Sequence, residues 1–228
     1  MNTDHSPRFF PLGDDALIVE FGRTISRELN KRAIALADSL DRSPFPGYIE
    51  SVPAYASTAV YFDLRKVQLN SSAGGTAFES VRSYVELLLH KSSTLEAPPA
   101  RVIEIPASFD QRSGPDISLV ADFAGMTRDE LIKVFTSRTY HVYMLGFLPG
   151  FAYMGEVDDR IAMGRCDTPR LRVPSGSIGI AGRQTGIYPL ESPGGWRIIG
   201  RTRLRMFDVA AAEPSALRVG DTVRFVPE

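Results

Sequence analysis

The first ninety residues alternate between strand-like and helix-like patterns of apolar positions. Four short runs have the period of a half-buried strand: residues 8–12, 16–21, 48–53 and 58–63. Apolar residues recur at helical spacing from Ser26, a suitable N-cap, to about residue 40 and again up to about residue 89. Thr76 and Glu79 form the capping box that opens the second helix. This order predicts a small α+β sandwich with helices on one face of an antiparallel sheet.

The pattern changes in the segment KSSTLEAPPA, residues 91–100, which is polar and then carries two prolines. This composition is typical of a linker, and that of residues 70–75, NSSAGG, is typical of a loop. We therefore predict two domains, with the α+β sandwich in residues 1–98 and a second domain in residues 99–228.

The second domain begins with three short elements and continues as strands and turns. We predict a strand at residues 101–106, a helix at residues 116–124, and a helix to about residue 137 that opens with the capping box of Thr127 and Glu130. The later strands are predicted at residues 140–147, 177–181, 186–189, 196–201 and 222–226, with residues 205–207 as a further candidate. Periodicity alone indicates a closed or sandwiched β-structure.

Composition narrows the class of protein. Of the 228 residues, 43% are hydrophobic, which is enough for a core, and the formal net charge is −1. This balance argues against a nucleic-acid or anionic-membrane surface, and no apolar run is long enough to span a membrane. The single cysteine, Cys166, excludes an internal disulfide. Together with a start that lacks signal-peptide character, it predicts a cytoplasmic protein.

Residues 139–201 contain the densest set of candidate functional residues. Eleven of the 19 glycines lie here, among apolar runs that are too short and too β-branched for helices. Phe147, Pro149 and Phe151 stand in the motif GFLPGF, which predicts either a rigid loop lining a pocket or a tight barrel corner plugged by aromatic rings. We interpret the stretch as a β-barrel whose loops build a binding surface.

Three arginines lie in separate segments of this stretch: Arg172, Arg183 and Arg201. The guanidinium group offers a planar fork of donors that suits carboxylates and phosphates, so one hypothesis is an anion-binding cluster. The alternative is a set of ion pairs with acidic residues of the barrel rim: Asp167, Glu191 or Asp208.

Polar side chains around the glycine-rich turn GIAGRQTG are candidates for substrate contact. Ser177 and Gln184 flank the turn, and further candidates lie nearby: Ser175, Thr185, Tyr188, Ser192 and Trp196. Their side chains, or a nest of backbone N–H groups, suit a substrate amide or an anion, whereas turn capping is the structural alternative. His141 alternates with Tyr143, which indicates the barrel interior or an interface. Three scattered histidines and one cysteine predict no metal site.

Three ordered motifs, GFLPGFAYMG, VPSGSIGIAGRQTGIYP and SPGGWRIIGRT, resemble the signatures of one known family. Its members include the B subunit of bacterial 5-oxoprolinase (PxpB), the kinase inhibitor KipI, and subunit 1 of allophanate hydrolase-like proteins. The resemblance covers nearly the whole chain and is densest from Tyr140 onward. It implies an α+β protein whose C-terminal domain is a cyclophilin-like β-barrel.

The resemblance implies a subunit of an ATP-dependent hydrolase that opens 5-oxo-L-proline to L-glutamate. ATP would be a co-substrate of the complex, with no ATP site assigned to this chain. The partners would be a second cyclophilin-like subunit of the PxpC/KipA type and a PxpA-type subunit, so this chain alone is expected to be inactive. Within it we predict catalytic roles for Arg183, Gln184 and Ser177. Substrate or partner contacts are predicted for Arg172, His141, Phe147, Pro149, Phe151, Tyr188, Ser192, Trp196 and Arg201.

Two alternative functions stay open at the level of sequence. A KipI-type inhibitor would dock on a sensor histidine kinase through the faces that carry GFLPGF and SPGGW, and a third reading is a carboxyltransferase-like part of a urea amidolyase pathway. Two sites depart from the family pattern: Phe135 stands where many relatives carry histidine, and Ala107-Ser108 replaces a Cys-Tyr-type pair. These departures affect activity only if the family residues serve chemistry rather than packing.

Overall fold

The computed structural model describes residues 6–70, 75–91 and 97–228. The chain divides into two compact units, Met1–Pro99 and Ala100–Glu228. Residues 71–74 of the predicted loop and residues 92–96 of the predicted linker lie outside the described residues. No helix in the described ranges is long and apolar enough to cross a membrane.

The first unit is an α+β sandwich. Its elements are β1 (Arg8–Pro11), β2 (Ala16–Glu20), α1 (Arg27–Arg42), β3 (Tyr48–Ala54), β4 (Ser57–Phe62), α2 (Leu64–Asn70) and α3 (Ala77–Lys91). The four strands form an antiparallel sheet in the order β1-β2-β4-β3. Apolar residues of the sheet, such as Leu17 and Val60, pack against those of the helices, such as Leu36 and Val81, in one core. The predicted fold class is therefore confirmed for this unit.

Local capping explains where these helices begin. The backbone N–H of Leu29 donates to Ser26 Oγ at 3.1 Å, as predicted. Thr76 and Glu79 exchange the two bonds of the capping box, at 2.8 and 3.2 Å. Helix α2 was not predicted, because Asp63 was assigned to the preceding strand. Instead, its carboxylate accepts a 3.1 Å hydrogen bond from the Lys66 backbone N–H, which caps the start of α2.

The second unit is a nearly closed β-barrel with two short helices near its start. Its elements are β5 (Val102–Ala107), α4 (Ile117–Phe123), α5 (Arg128–Thr136), β6 (Thr139–Leu145), β7 (Ala152–Gly155), a 3-10 turn (Asp159–Ile161), β8 (Arg170–Val173), β9 (Ser177–Ala181), β10 (Gln184–Ile187), β11 (Ser192–Gly194), β12 (Arg197–Arg201) and β13 (Thr222–Pro227). Seven strands form one sheet in the order β12-β9-β10-β7-β6-β13-β5. The β13–β5 pairing is parallel and the others are antiparallel. The cyclophilin-like barrel is thus confirmed.

The inward side chains of the strands fill the barrel core. Ile178 and Ile180 of β9 and Ile199 of β12 belong to this core, which matches the period-2 alternation of strands. Phe135 of α5 is fully buried there and stacks on Phe225 with ring centroids 5.0 Å apart. The departure from the family pattern at Phe135 is therefore a packing residue of the core in this chain.

Several short elements differ from the predicted ones. Strands β7, β8 and β11 were not predicted, because each has only three or four residues and each is adjacent to glycines or prolines. Strands β8 and β11 pair with each other in a separate two-stranded sheet. Residues 205–207, a candidate strand, contribute only an isolated bridge between Phe207 and Ser215.

Candidate functional site

A cluster of aromatic rings covers the outer face of the barrel beside β9, β10 and β12. The ring centroid of Phe151 lies 5.4 Å from that of Tyr188 and 5.5 Å from that of Trp196, in edge-to-face contacts. All three rings are buried. Tyr153, which was not among the predicted site residues, joins them with its ring centroid 4.9 Å from that of Phe151. We call these four residues, with Phe147, the aromatic cluster.

Two glycines of the motif GIAGRQTG make room for these rings. A Cβ on Gly186 would lie 2.8 Å from the Phe151 ring, and a Cβ on Gly179 would lie 2.9 Å from Trp196 Cβ. Both glycines stand on the outer face, between core residues that point inward. The absence of a side chain at Gly179 and Gly186 therefore lets the rings of Trp196 and Phe151 pack directly against the strands.

Phe147 is the exposed member of the aromatic cluster. Its ring is edge-on to Phe151 at 5.5 Å and to Tyr188 at 6.5 Å, yet the residue remains 60% exposed. Its φ of 70° lies in the left-handed region, where a bulky side chain is strained. Strain of this kind is found preferentially at functional sites. Pro149, two residues further along the chain, is also exposed. Phe147 and Pro149 therefore form an apolar surface next to the buried rings of the aromatic cluster.

Burial changes the acidity of the cluster's central phenol. It raises the pKa of Tyr188, an effect that a hydrogen bond with the backbone of Trp196 partly opposes. The hydroxyl therefore stays protonated at neutral pH. The backbone fits closely around it, because a Cβ on Gly194 would lie 2.3 Å from Tyr188 Oη.

The three predicted arginines do not form one cluster. Arg183 lies in the turn after β9 and pairs with Glu156 at 2.7 Å and with Asp159 at 3.4 Å. Arg201 pairs in the sheet with Ser177, at the opposite end of β9. Five residues of strand separate these ends by about 13 Å, so the structure corrects the expectation that barrel closure would bring Arg183 together with Arg201.

Arg172 forms an ion pair on the barrel rim, as the alternative hypothesis predicts. Its exposed guanidinium contacts Glu191 at 2.6 Å, which is one of the rim partners considered from the sequence. The partners of Arg183, in contrast, were not among them. Surface pairs of this kind contribute little to stability.

The hydroxyl groups of the predicted site cap backbone carbonyls. Ser177 Oγ donates to Pro174 O at 2.7 Å and is buried, and Ser192 Oγ donates to Pro193 O at 3.2 Å. Ser175 Oγ donates to Pro189 O at 2.8 Å, and Thr185 Oγ1 donates to Gly179 O at 2.9 Å. These contacts agree with the alternative hypothesis, in which the hydroxyl groups cap turns of the backbone.

The turn GIAGRQTG is likewise occupied by protein groups. The N–H of Gly182 donates to Met163 O at 2.8 Å, and Gln184 begins β10 opposite Gly155.

His141 on β6 is only 5% exposed and lies edge-on to Tyr143 at 4.7 Å, in the barrel wall. Across the described ranges, no three His, Cys, Asp or Glu side chains are grouped to hold a metal ion.

A polar cavity of about 670 Å³ lies where the barrel closes. Its lining includes four arginines: Arg112, Arg201, Arg203 and Arg205. We call it the arginine cavity. Of these four, only Arg201 was among the predicted site residues. The missed signal is the run RTRLR, which carries three arginines within five residues, Arg201 to Arg205.

Comparison with known proteins agrees with this fold and these motifs. The family described as carboxyltransferase domain, subdomain C and D, matches residues 7–217. The 5-oxoprolinase B subunit of Bacillus subtilis (strain 168) is 41% identical over 216 residues, 94% of this chain and 90% of that protein. The 5-oxoprolinase B subunit of Escherichia coli O157:H7 is 38% identical over 221 residues, 97% of this chain and 96% of that protein.

A solved structure extends the comparison to the fold. The crystal structure of TTHA0988 is 36% identical, with a TM-score of 0.80 over 93% of this chain. The chain covers 40% of that protein's length. The chain thus belongs to the class described as carboxyltransferase domain, subdomain C and D. Within that class, the chain belongs to the family that contains the 5-oxoprolinase B subunits.

Proposed function

We propose that the chain is the B subunit of an ATP-dependent 5-oxoprolinase and acts in the cytoplasm. The observation that carries this proposal is the identity of 41% and 38% to two relatives of that name over at least nine tenths of each chain. An alignment of that extent covers both units, including the aromatic cluster and the glycines beneath it.

The reaction consumes one 5-oxo-L-proline, one ATP and two water molecules, and forms L-glutamate, ADP, phosphate and a proton. The lactam is stabilised by amide resonance, and a phosphoryl group on its carbonyl oxygen would weaken that resonance. Negative charge develops during such a transfer, and fixed arginines and backbone N–H groups stabilise it. ATP is therefore a co-substrate of the complex in this proposal.

The chain would act only together with other subunits. A second cyclophilin-like subunit of the PxpC/KipA type and a PxpA-type subunit are the proposed partners. The aromatic cluster supports this part of the proposal, because Phe147 is largely exposed and packs against the buried rings of Phe151 and Tyr188. Aromatic anchors of this kind dominate the binding energy of protein interfaces.

The proposal is tested by co-purifying the chain with the two candidate partners and measuring ATP hydrolysis. We expect hydrolysis that depends on 5-oxo-L-proline and requires the chain. A chain that assembles with neither candidate, or an assembly without oxoproline-dependent hydrolysis, would reject the proposal. Inhibition of histidine-kinase autophosphorylation by the chain alone would instead favour the inhibitor alternative.

The catalytic roles of Arg183, Gln184 and Ser177 remain predictions. Arg183→Ala is the direct test, because Arg183 is exposed and its removal leaves the barrel core intact. We expect it to abolish glutamate release by the assembled enzyme. Arg224→Ala, which removes another exposed, ion-paired arginine of the same unit, is the matched control. Unchanged turnover of Arg183→Ala would remove Arg183 from the site.

A further inference from the structure

The arginine cavity is built by two walls that barrel closure brings together. One wall is the end of β12 and the segment that follows it, where Arg201, Arg203 and Arg205 are exposed. Thr202 and Met206, at alternate positions of the same segment, are buried. Leu204, between Arg203 and Arg205, is 42% exposed, and the segment places all three arginines in the lining of the cavity.

The second wall is the loop after β5, which carries Arg112. The carboxylate of Asp110 accepts hydrogen bonds from the backbone N–H groups of Arg112 and Ser113, at 2.8 and 2.7 Å, and from Ser108 Oγ at 2.9 Å. These bonds lower the pKa of Asp110, and the bond from the Ser113 backbone has the largest effect. The acid thus fixes the loop that carries Arg112, and its charge is already stabilised by donors of the loop.

The four arginines differ in whether their guanidinium groups already have hydrogen-bond or ion-pair partners within the protein. Arg201 Nε donates to Ser175 O at 2.9 Å, which orients its guanidinium plane, and Arg205 pairs with Asp208 at 2.8 Å. The side chains of Arg112 and Arg203 make no hydrogen bond or ion pair with any residue in the described ranges. Two cationic forks that line one cavity without partners are suited to a multivalent anion.

Other lining groups add polar contacts and cancel only part of this charge. The acidic side chains of the lining are Asp110 and Glu228, against four arginines. Ser113 and Thr202 also line the cavity. The volume of about 670 Å³ lies within the range of small-molecule sites, roughly 300–1,000 Å³, and exceeds what a single phosphate ion fills.

We propose that the arginine cavity binds the phosphoryl groups of a phosphorylated small molecule. Arg112 and Arg203 would provide the direct contacts, and Arg201, held by Ser175, would orient the anion. Identification of that molecule with ATP rests on the proposed function, whereas the binding of phosphoryl groups does not.

The test is calorimetric titration of the isolated full chain with pyrophosphate and, separately, with ATP. We expect saturable binding of both that weakens as salt concentration rises. Arg203→Gln and Arg112→Gln should each weaken pyrophosphate binding about tenfold or more, because each removes charge-assisted hydrogen bonds. Arg203→Lys should recover part of the loss. Arg224→Gln, an exposed arginine outside the cavity lining, should bind as the wild type does.

Binding of ATP more tightly than pyrophosphate would identify a nucleotide site, and equal binding would identify a site for phosphate groups alone. Absence of saturable binding of either ligand to the folded chain would overturn the proposal. An equal loss in Arg224→Gln and Arg203→Gln would overturn it too. Binding by an assembly that shows no oxoproline-dependent turnover would keep the phosphoryl site and reject the oxoprolinase function. Full turnover with Arg203→Gln would reject the site's part in that reaction.

Discussion

Ser108 and Arg201 exchange two backbone hydrogen bonds, each with an N···O distance of 2.9 Å. Ser108 directly follows β5 and Arg201 ends β12, so these bonds join the two outermost strands of the seven-stranded sheet. The same junction places Arg201 beside the loop that carries Arg112. The pair that joins the two sheet edges therefore also lies in the lining of the arginine cavity.

Close packing at this junction makes Gly200→Ala a test of closure. A Cβ there would lie 2.7 Å from the Phe109 ring and 2.9 Å from Ser108 O, so backbone must move. We expect the free energy of unfolding to fall by about 1–3 kcal/mol, measured by urea denaturation, and pyrophosphate binding to weaken as well. Gly195→Ala, whose Cβ would meet nothing closer than 3.7 Å, is the control and should change stability by less than about 0.5 kcal/mol.

Phe147→Ala should separate partner binding from stability. Phe147 is mostly exposed, so we expect the free energy of unfolding to change by less than about 1 kcal/mol. Affinity for the partner subunits should fall about tenfold or more, measured by titration of the assembly. Phe123→Ala, at a 56% exposed aromatic residue at the end of α4, is the matched control. Equal affinity of both variants would show that Phe147 is not an interface anchor.

The ion pairs of Asp158 predict acid sensitivity. Hydrogen bonds from Arg160, and then from Arg138, lower the pKa of Asp158 in the folded state. Stability from these bonds is fully present above the unfolded-state pKa of about 3.9 and is lost as the pH falls below it. We expect wild-type stability to drop more steeply than that of Asp158→Asn between about pH 5 and pH 3. Parallel urea-denaturation profiles for the two proteins would contradict this.

Asp116 connects α4 to the start of β12. Its buried carboxylate accepts a 2.5 Å bond from the Arg170 guanidinium and a 2.6 Å bond from the Ile198 backbone N–H. Asp116→Ala would leave both donors without this acceptor, and we expect a loss of about 2–4 kcal/mol in the free energy of unfolding. Asp122→Ala, on the exposed face of the same helix, should be nearly neutral in the same denaturation assay.

Features set by neighbouring residues were predictable from the sequence. The Ser26 cap and the two capping boxes depend on residues three positions apart, and the structure has them where they were predicted. Strands β8 and β11 were missed because each has only three or four residues and is defined by its partner across residues 174–191. Strand β7 forms a hairpin with β6, but its four residues stand directly after the Gly- and Pro-containing loop and end in a glycine. Helix α2 was missed because Asp63 was assigned to a strand rather than to a cap.

The candidate site was predictable in its aromatic half only. Phe147, Phe151, Tyr188 and Trp196 were singled out and do lie together. The arginines could not be grouped correctly, because strand direction and register decide which end of the barrel each one occupies. Arg183 and Arg201 are separated by the length of β9, whereas Arg112 reaches Arg201 only through barrel closure.

The most direct measurement of the central claim is glutamate release by the separate and combined subunits. We predict that 5-oxo-L-proline and ATP give glutamate and phosphate in equal amounts when this chain and both partners are present. Omission of this chain should abolish the reaction, and the chain alone should release no glutamate. Glutamate formation by the purified chain alone, or an unchanged rate in its absence, would contradict the account.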